Sequence, residues 1–221
     1  MPYHSFDIKK TARYFTIGPP FADSKGILIV LHGYGQLPGF FIKRFQQIAD
    51  DGWAIVAPEG LHRFYLEGTQ GRVGASWMTK EARQDDILDN VHYLDSLATE
   101  LQLNRQRPVL LGFSQGVATA SRWAAMGKIT FSRLIMWSGV FPPDYPWTSG
   151  TEQMRAMQID VVYGTEDVFF DDTLLKTTAA VLDANAVPFT AYSFAGGHAI
   201  DTDLLHRLSV SYTHLRAHET D

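Results

Sequence analysis

The apolar positions of the chain fall into short continuous runs separated by longer stretches with helical spacing. Ile27-Leu-Ile-Val-Leu31 is unbroken and β-branched, the pattern of a strand buried on both faces. Trp53-Ala-Ile-Val-Ala57, Val109 to Leu111, Arg133-Leu-Ile-Met-Trp137, Ile159-Asp-Val-Val-Tyr163 and Val187 to Phe194 predict further strands. Arg13-Tyr-Phe-Thr-Ile17 alternates only weakly, as an edge strand does.

Between these runs the period changes. Pro38 opens an amphipathic helix to about Asp51, with Phe41, Phe45 and Ile48 on one face. Ile87, Val91, Leu94, Leu97 and Leu101 recur at threes and fours, predicting a long helix over 80–103. Val117 to Met126 reads as a helix, and Asp171 or Asp172 caps another that runs to about Ala186. Asp201 or Thr202 caps a last one carrying Leu204, Leu205 and Leu208. The section Glu59 to Thr79 lacks periodicity and is expected to be a long functional loop. Phe141-Pro-Pro-Asp-Tyr-Pro-Trp147 is expected to be a proline-stiffened loop. Strand alternating with helix predicts the α/β class: a doubly wound, mostly parallel sheet with helices on both faces.

Composition narrows this picture. A chain of 221 residues, 45% hydrophobic, suits one α/β domain, here expected over 1–209. The net charge of −5 and the lack of a basic stripe argue against nucleic acid as a partner. Without cysteine there is no disulfide, no thiol catalysis and no thiolate metal site. Lys9, Lys10 and Arg13 are not followed by an apolar stretch, so no signal peptide is expected. The run Ile27 to Leu31 is too short to span a bilayer. Together these features predict a cytoplasmic protein without a membrane span.

The chemistry centres on Gly112-Phe-Ser-Gln-Gly116, a G-x-S-x-G placed between a strand and a helix. A sharp turn there holds the serine in a strained backbone conformation, and glycines two residues either side avoid clashing with it. The Ser114 hydroxyl is then raised at a helix N-terminus, whose free N–H groups favour developing negative charge. A serine nucleophile needs a base, and the base needs an acid to hold its tautomer. Asp167 follows the strand ending at Tyr163, and His198 follows the strand ending at Phe194, giving the order Ser, acid, His at one sheet edge. Glu166 is the rival acid, whereas Asp171 and Asp172 are better explained as helix caps. His4, His62 and His92 are expected to be solvated, and His206 lies on the last helix. An oxyanion needs two donors, expected from the N–H of Gln115 and that of Tyr34 in the loop His32-Gly-Tyr-Gly35. His32 itself is expected to brace that loop by hydrogen bonding. Phe64, Tyr65, Trp77, Phe141, Tyr145, Trp147 and Phe169 are candidate walls for an apolar substrate group. No phosphate-binding glycine loop and no metal-ligand cluster is evident, so neither cofactor nor metal is expected.

Leu31-His-Gly-Tyr-Gly35, Gly112-Phe-Ser-Gln-Gly116, Gly164-Thr-Glu-Asp167 and Gly197-His198 together resemble the phospholipase/carboxylesterase family of α/β-hydrolases. That family includes acyl-protein thioesterases and small bacterial carboxylesterases, and the resemblance runs from about Gly26 to His206. It implies an α/β-hydrolase fold with Ser114 as nucleophile, Asp167 as acid, His198 as base and Tyr34 and Gln115 as oxyanion donors. It also implies hydrolysis of a small-molecule ester with a small or medium acyl group, through an acyl-enzyme. Thioesterase or peptidase activity would use the same triad. A non-catalytic binding protein of the same fold is disfavoured by the retention of every triad residue. Val117 stands where the acyl-protein thioesterase pattern has another glycine, and Gly74-Ala-Ser-Trp77 looks closer to bacterial esterases. Both departures point away from a protein-thioester substrate.

The end of the chain reads differently. Val210-Ser-Tyr-Thr-His-Leu-Arg-Ala-His-Glu-Thr220 breaks the leucine stripe before it. GTC TCT TAT ACA CAT CT, the end sequence of a common library-preparation transposon, translates as Val-Ser-Tyr-Thr-His-Leu. The adaptor CTC CGA GCC CAC GAG AC continues as Leu-Arg-Ala-His-Glu-Thr. Residues 210–221 are therefore expected to be a non-native sequencing-adaptor tail, with few buried contacts and no part in activity. His214 and His218 have helical metal-ligand spacing but no evident third ligand.

Overall fold

A computed structural model describes residues 2–209. The adaptor-like tail, with Tyr212, His214, Leu215 and His218, lies outside the described residues. Strands β1 (Tyr14–Ile17), β2 (Ile27–Leu31), β3 (Ala54–Pro58), β6 (Val109–Phe113), β7 (Arg133–Trp137), β8 (Gln158–Gly164) and β9 (Thr190–Phe194) form one sheet, ordered β1-β3-β2-β6-β7-β8-β9. Only β1 is antiparallel, on the edge against β3; the other neighbours are parallel. Every residue of β2, β3, β6 and β7 is buried, because helices cover both faces.

The two faces separate by strand alternation. Ile27, Ile29 and Leu31 pack with α3 (Arg83–Glu100) and α4 (Gln115–Met126), through Val91, Leu94, Val117 and Trp123. Leu28 and Val30 pack on the other side with Phe41, Phe45 and Ile48. The helical segment 202–209 joins that second layer through Leu204, Leu205 and Leu208. Asp201 caps it, accepting from the Leu204 N–H at 2.7 Å, and Asp171 caps α6 (Asp172–Ala184) through Thr173 and Leu174, both at 3.0 Å.

Three expectations need correction. The helix over 38–51 is broken into α1 (Pro38–Phe41), a 3₁₀ turn (Ile42–Phe45) and α2 (Gln46–Asp50). The tighter three-residue repeat aligns Ile42, Phe45 and Ile48, and all three are buried. The section 59–79 is not irregular: β4 (His62–Glu67) and β5 (Gln70–Ser76) pair as an antiparallel hairpin. Most of β4 is exposed on both faces, so no alternation marks it in the sequence. Trp147, expected to end a loop, instead starts α5 (Trp147–Arg155). Gly150 lets α5 approach α4, since a Cβ there would lie 2.6 Å from that of Ala125.

Candidate active site

The turn between β6 and α4 puts Ser114 at φ 53° and ψ −119°, a conformation that side chains rarely adopt. Its close packing explains the glycines. A Cβ on Gly112 would lie 2.5 Å from the Gly116 carbonyl oxygen, and one on Gly116 2.3 Å from that of Leu31. The Ser114 N–H donates to the Trp137 carbonyl at 2.9 Å, which fixes the turn on the neighbouring strand.

The loops after β8 and β9 meet this turn. His198 Nε2 is 2.9 Å from Ser114 Oγ, and His198 Nδ1 is 2.8 Å from Asp167 Oδ2. Asp167 also accepts from the N–H groups of Phe169 at 2.8 Å and Phe170 at 3.1 Å. Burial by itself would raise the Asp167 carboxyl. The bonds from His198 and the Phe169 amide outweigh that and hold its pKa below the usual 3.8. A carboxylate that stays ionised fixes the proton on Nδ1 and leaves Nε2 free to face the hydroxyl. Glu166 makes no such contact: its N–H donates to the Gly196 carbonyl at 2.9 Å.

The loop after β2 lies against the same serine, since a Cβ on Gly33 would be 3.1 Å from that of Ser114. His32, fully buried, holds this loop from beneath. Its Nε2 accepts from the Gly60 N–H at 3.0 Å and its Nδ1 contacts the Gly33 carbonyl at 2.8 Å. An amide can only donate, so Nε2 carries no proton and the ring is neutral. Burial agrees, lowering the imidazole from 6.5 to about 4 against weaker pulls from the Gly33 carbonyl and Glu59. The Gly33 N–H is held by Gln36 Oε1 at 2.9 Å, so the loop presents Tyr34 at its exposed tip.

The hairpin completes the frame. The Gly35 N–H donates to Ala75 at 2.9 Å, and the Ala75 N–H to Gln36 at 3.1 Å. The Gln115 side chain is tied to it: Oε1 accepts from the Trp77 N–H at 3.0 Å and Nε2 donates to the Met78 carbonyl at 2.8 Å. Sequence reading missed this clamp, because nothing in a G-x-S-x-G motif says what the residue after serine touches. It also missed Phe113, whose ring lies 4.9 Å from that of His198 and 5.9 Å from that of Phe41.

The candidate pocket residues divide. Phe169 is exposed and meets the His198 ring edge-on at 4.9 Å, while Phe64 packs against Tyr34 at 5.0 Å in a tilted pair, with Tyr65 exposed. Trp77 does not line a pocket: it is fully buried, stacks near His32 and donates from Nε1 to the His32 carbonyl at 2.8 Å. Phe141 is buried too, packed with Tyr145 and Trp147 at 5.1 and 5.7 Å in the core beside α4. Arg122 fastens their loop through Asp144 at 2.6 Å. Two cavities flank the site. One of about 460 Å³ runs from Gly35 along Leu37, Phe40 and Phe41 under Leu66 and Val73. The other, about 380 Å³, lies beside Asp167 between Tyr163 and Asp172.

Fold and site define a doubly wound α/β protein with a serine, histidine and aspartate joined at the carboxyl edge of its sheet. The sequence profile described as Phospholipase/Carboxylesterase matches residues 12–218, and the chain belongs to that family, whose members are hydrolases of the esterase and thioesterase type. No curated protein sequence matches the chain. Among solved structures, esterase PE8 is 20% identical, with a TM-score of 0.66 over 92% of this chain and 98% of its own. Acyl-protein thioesterase 2 of Zea mays is 16% identical, with a TM-score of 0.71 over 92% and 98%. SOBER1 of Arabidopsis thaliana is 18% identical, with a TM-score of 0.68 over 87% and 99%. At such identities the likeness establishes the fold, and no helix among the described residues is long and apolar enough to cross a membrane.

Proposed function

We propose that the protein is a carboxylesterase-like serine hydrolase that cleaves esters of small or medium acyl groups through an acyl-enzyme. The observation that carries this reading is the His198 ring, bonded at once to Ser114 Oγ and to Asp167. Ser114 Oγ attacks the ester carbonyl carbon while His198 Nε2 takes the hydroxyl proton. The carbonyl oxygen becomes an oxyanion, held by the N–H groups of Tyr34 and Gln115. Collapse expels the alcohol, which receives the proton from His198, and leaves an ester on Ser114. Water then repeats the sequence from the same side, releasing the acid and restoring the serine. No metal or cofactor takes part in any step.

The test is labelling by a fluorophosphonate and turnover of an activated ester, in wild type and Ser114→Ala. The variant is expected to lose labelling and about a million-fold in turnover. Equal turnover by both proteins would overturn the proposal. A thioester would pass through the same steps, a reading favoured by the fold shared with the maize thioesterase. Comparing an ester and a thioester of one acyl group decides between them.

A further inference from the structure

The cavity on the oxyanion-loop side has an electrical asymmetry that its apolar walls do not require. Leu37, Phe40, Phe41, Leu66 and Val73 supply those walls, but Arg44 and Arg72 line the same cavity and no carboxylate does. The Arg44 side chain makes no hydrogen bond or ion pair among the described residues. Arg72 has one carboxylate near it, Glu67 at 3.8 Å, and both are well exposed, so that pair holds the guanidinium weakly. Lys43 adds a third positive charge close by, 5.5 Å over the Phe40 ring. The cavity beside Asp167 is lined instead by Asp171 and Asp172 as well as by Asp167, whose own carboxylate is buried against His198.

The proposed chemistry says which part of a substrate meets which side. The leaving oxygen must reach His198 Nε2 to be protonated, so the alcohol lies on the side of His198 and Phe169. The carbonyl oxygen points to the Tyr34 and Gln115 amides. The remaining substituent, the acyl chain, is left with the direction past Gly35 and Phe41, into the cavity with the arginines. We infer that this cavity selects acyl groups that are apolar along their length and end in a carboxylate, with Arg44, seconded by Arg72, receiving that terminus. The substrate class is then half-esters of dicarboxylic acids, with the neutral ester bond at Ser114 and the free acid at the far end. A planar guanidinium matches a carboxylate in two parallel hydrogen bonds.

This inference rests on the esterase reading, and one experiment separates the two. Methyl half-esters of medium-chain dicarboxylic acids are compared with methyl esters of monocarboxylic acids of equal chain length, at low and high salt. The wild type is expected to favour the half-ester in kcat/KM by about threefold to fivefold at low salt, less at high salt, both guanidinium groups being exposed. In Arg44→Gln the ratio between the two substrates should fall towards one, chiefly through a higher KM for the half-ester. Arg44→Glu should invert it. A wild type that prefers the neutral ester, or a ratio unmoved by both variants, overturns the inference and leaves the esterase reading intact. If neither ester is turned over faster than by Ser114→Ala, the esterase reading falls and the inference falls with it.

Discussion

His32 offers a quantitative test of how the loop after β2 is held. Its ring is neutral in the fold because the Gly60 N–H occupies Nε2 and no solvent reaches it. In the unfolded chain the same imidazole takes a proton near its ordinary 6.5, whereas in the fold it resists down to about 4. Between those values the unfolded state binds a proton that the native state excludes, so stability falls as pH drops from 6.5 towards 4. At about 1.4 kcal/mol per pH unit, the loss across that window is about 3 kcal/mol. Asp167 and Asp144 do not confuse the measurement. Their carboxyls are held below 3.8, so the stability they contribute is retained across the window and lost only at lower pH. The assay is urea denaturation followed by tryptophan fluorescence at pH 7, 6, 5 and 4, for wild type and His32→Gln. The variant is less stable at pH 7, having lost the ring that packs near Trp77 at 5.0 Å. Its stability should nevertheless decline less steeply with acid, by about 3 kcal/mol over the series. Parallel curves for the two proteins would show that His32 is not buried neutral, and would refute the argument.

Asp167→Asn should cost about ten-thousand-fold in kcat by allowing the wrong imidazole tautomer. Glu166→Gln should change it less than about twofold, as its side chain makes no bond within the site; a larger loss there would reassign the acid. Gln115→Met keeps the backbone N–H but removes the clamp on Trp77 and Met78. It should lower kcat about tenfold or more, and an unchanged kcat would free the side chain of any positioning role. Gly116→Ala would bring a methyl within 2.3 Å of the Leu31 carbonyl oxygen, so it should unfold at least about 2 kcal/mol more easily in urea. A variant as stable as wild type would mean the turn is looser than its contacts indicate.

What the sequence reveals about this fold depends on where the side chains end up. Ile27 to Leu31 is apolar at each position because helices cover both faces of β2, so that strand is legible without alignment or structure. His62 to Glu67 forms a strand whose pairing shifts register between Tyr65 and Glu67, and it stands clear of the core, so no periodicity betrays it. The break at Ile42–Phe45 is hidden for a different reason, since helix and 3₁₀ turn bury nearly the same residues. At the site, Ser114, Asp167 and His198 can be picked out because a parallel sheet sends every β-to-α loop to one edge. Trp77 cannot be placed that way. Its aromatic ring suits a pocket wall or a buried brace equally, and only the bond to the His32 carbonyl settles which it is.

The hairpin therefore has two ends with different duties. At its base, the bonds of Gly35 and Gln36 to Ala75, of Gln115 to Trp77 and Met78, of Trp77 to the His32 carbonyl and of Gly60 to the His32 ring tie it to both loops that surround Ser114. In the proposed mechanism, displacing any of these would move the Tyr34 and Gln115 amides relative to Ser114, and a shift of about 1 Å there is worth orders of magnitude in rate. At its tip, Gly68 and Gly71 both have positive φ, neighbouring residues are exposed, and Leu66, Arg72 and Val73 line the cavity beside Gly35, which includes no triad residue. On the proposed mechanism, one element then separates the setting of catalytic geometry from the choice of what enters. Changes at 66–73 should exchange one acyl group for another and show mainly in KM, while changes at 74–78 should lower kcat for every substrate alike.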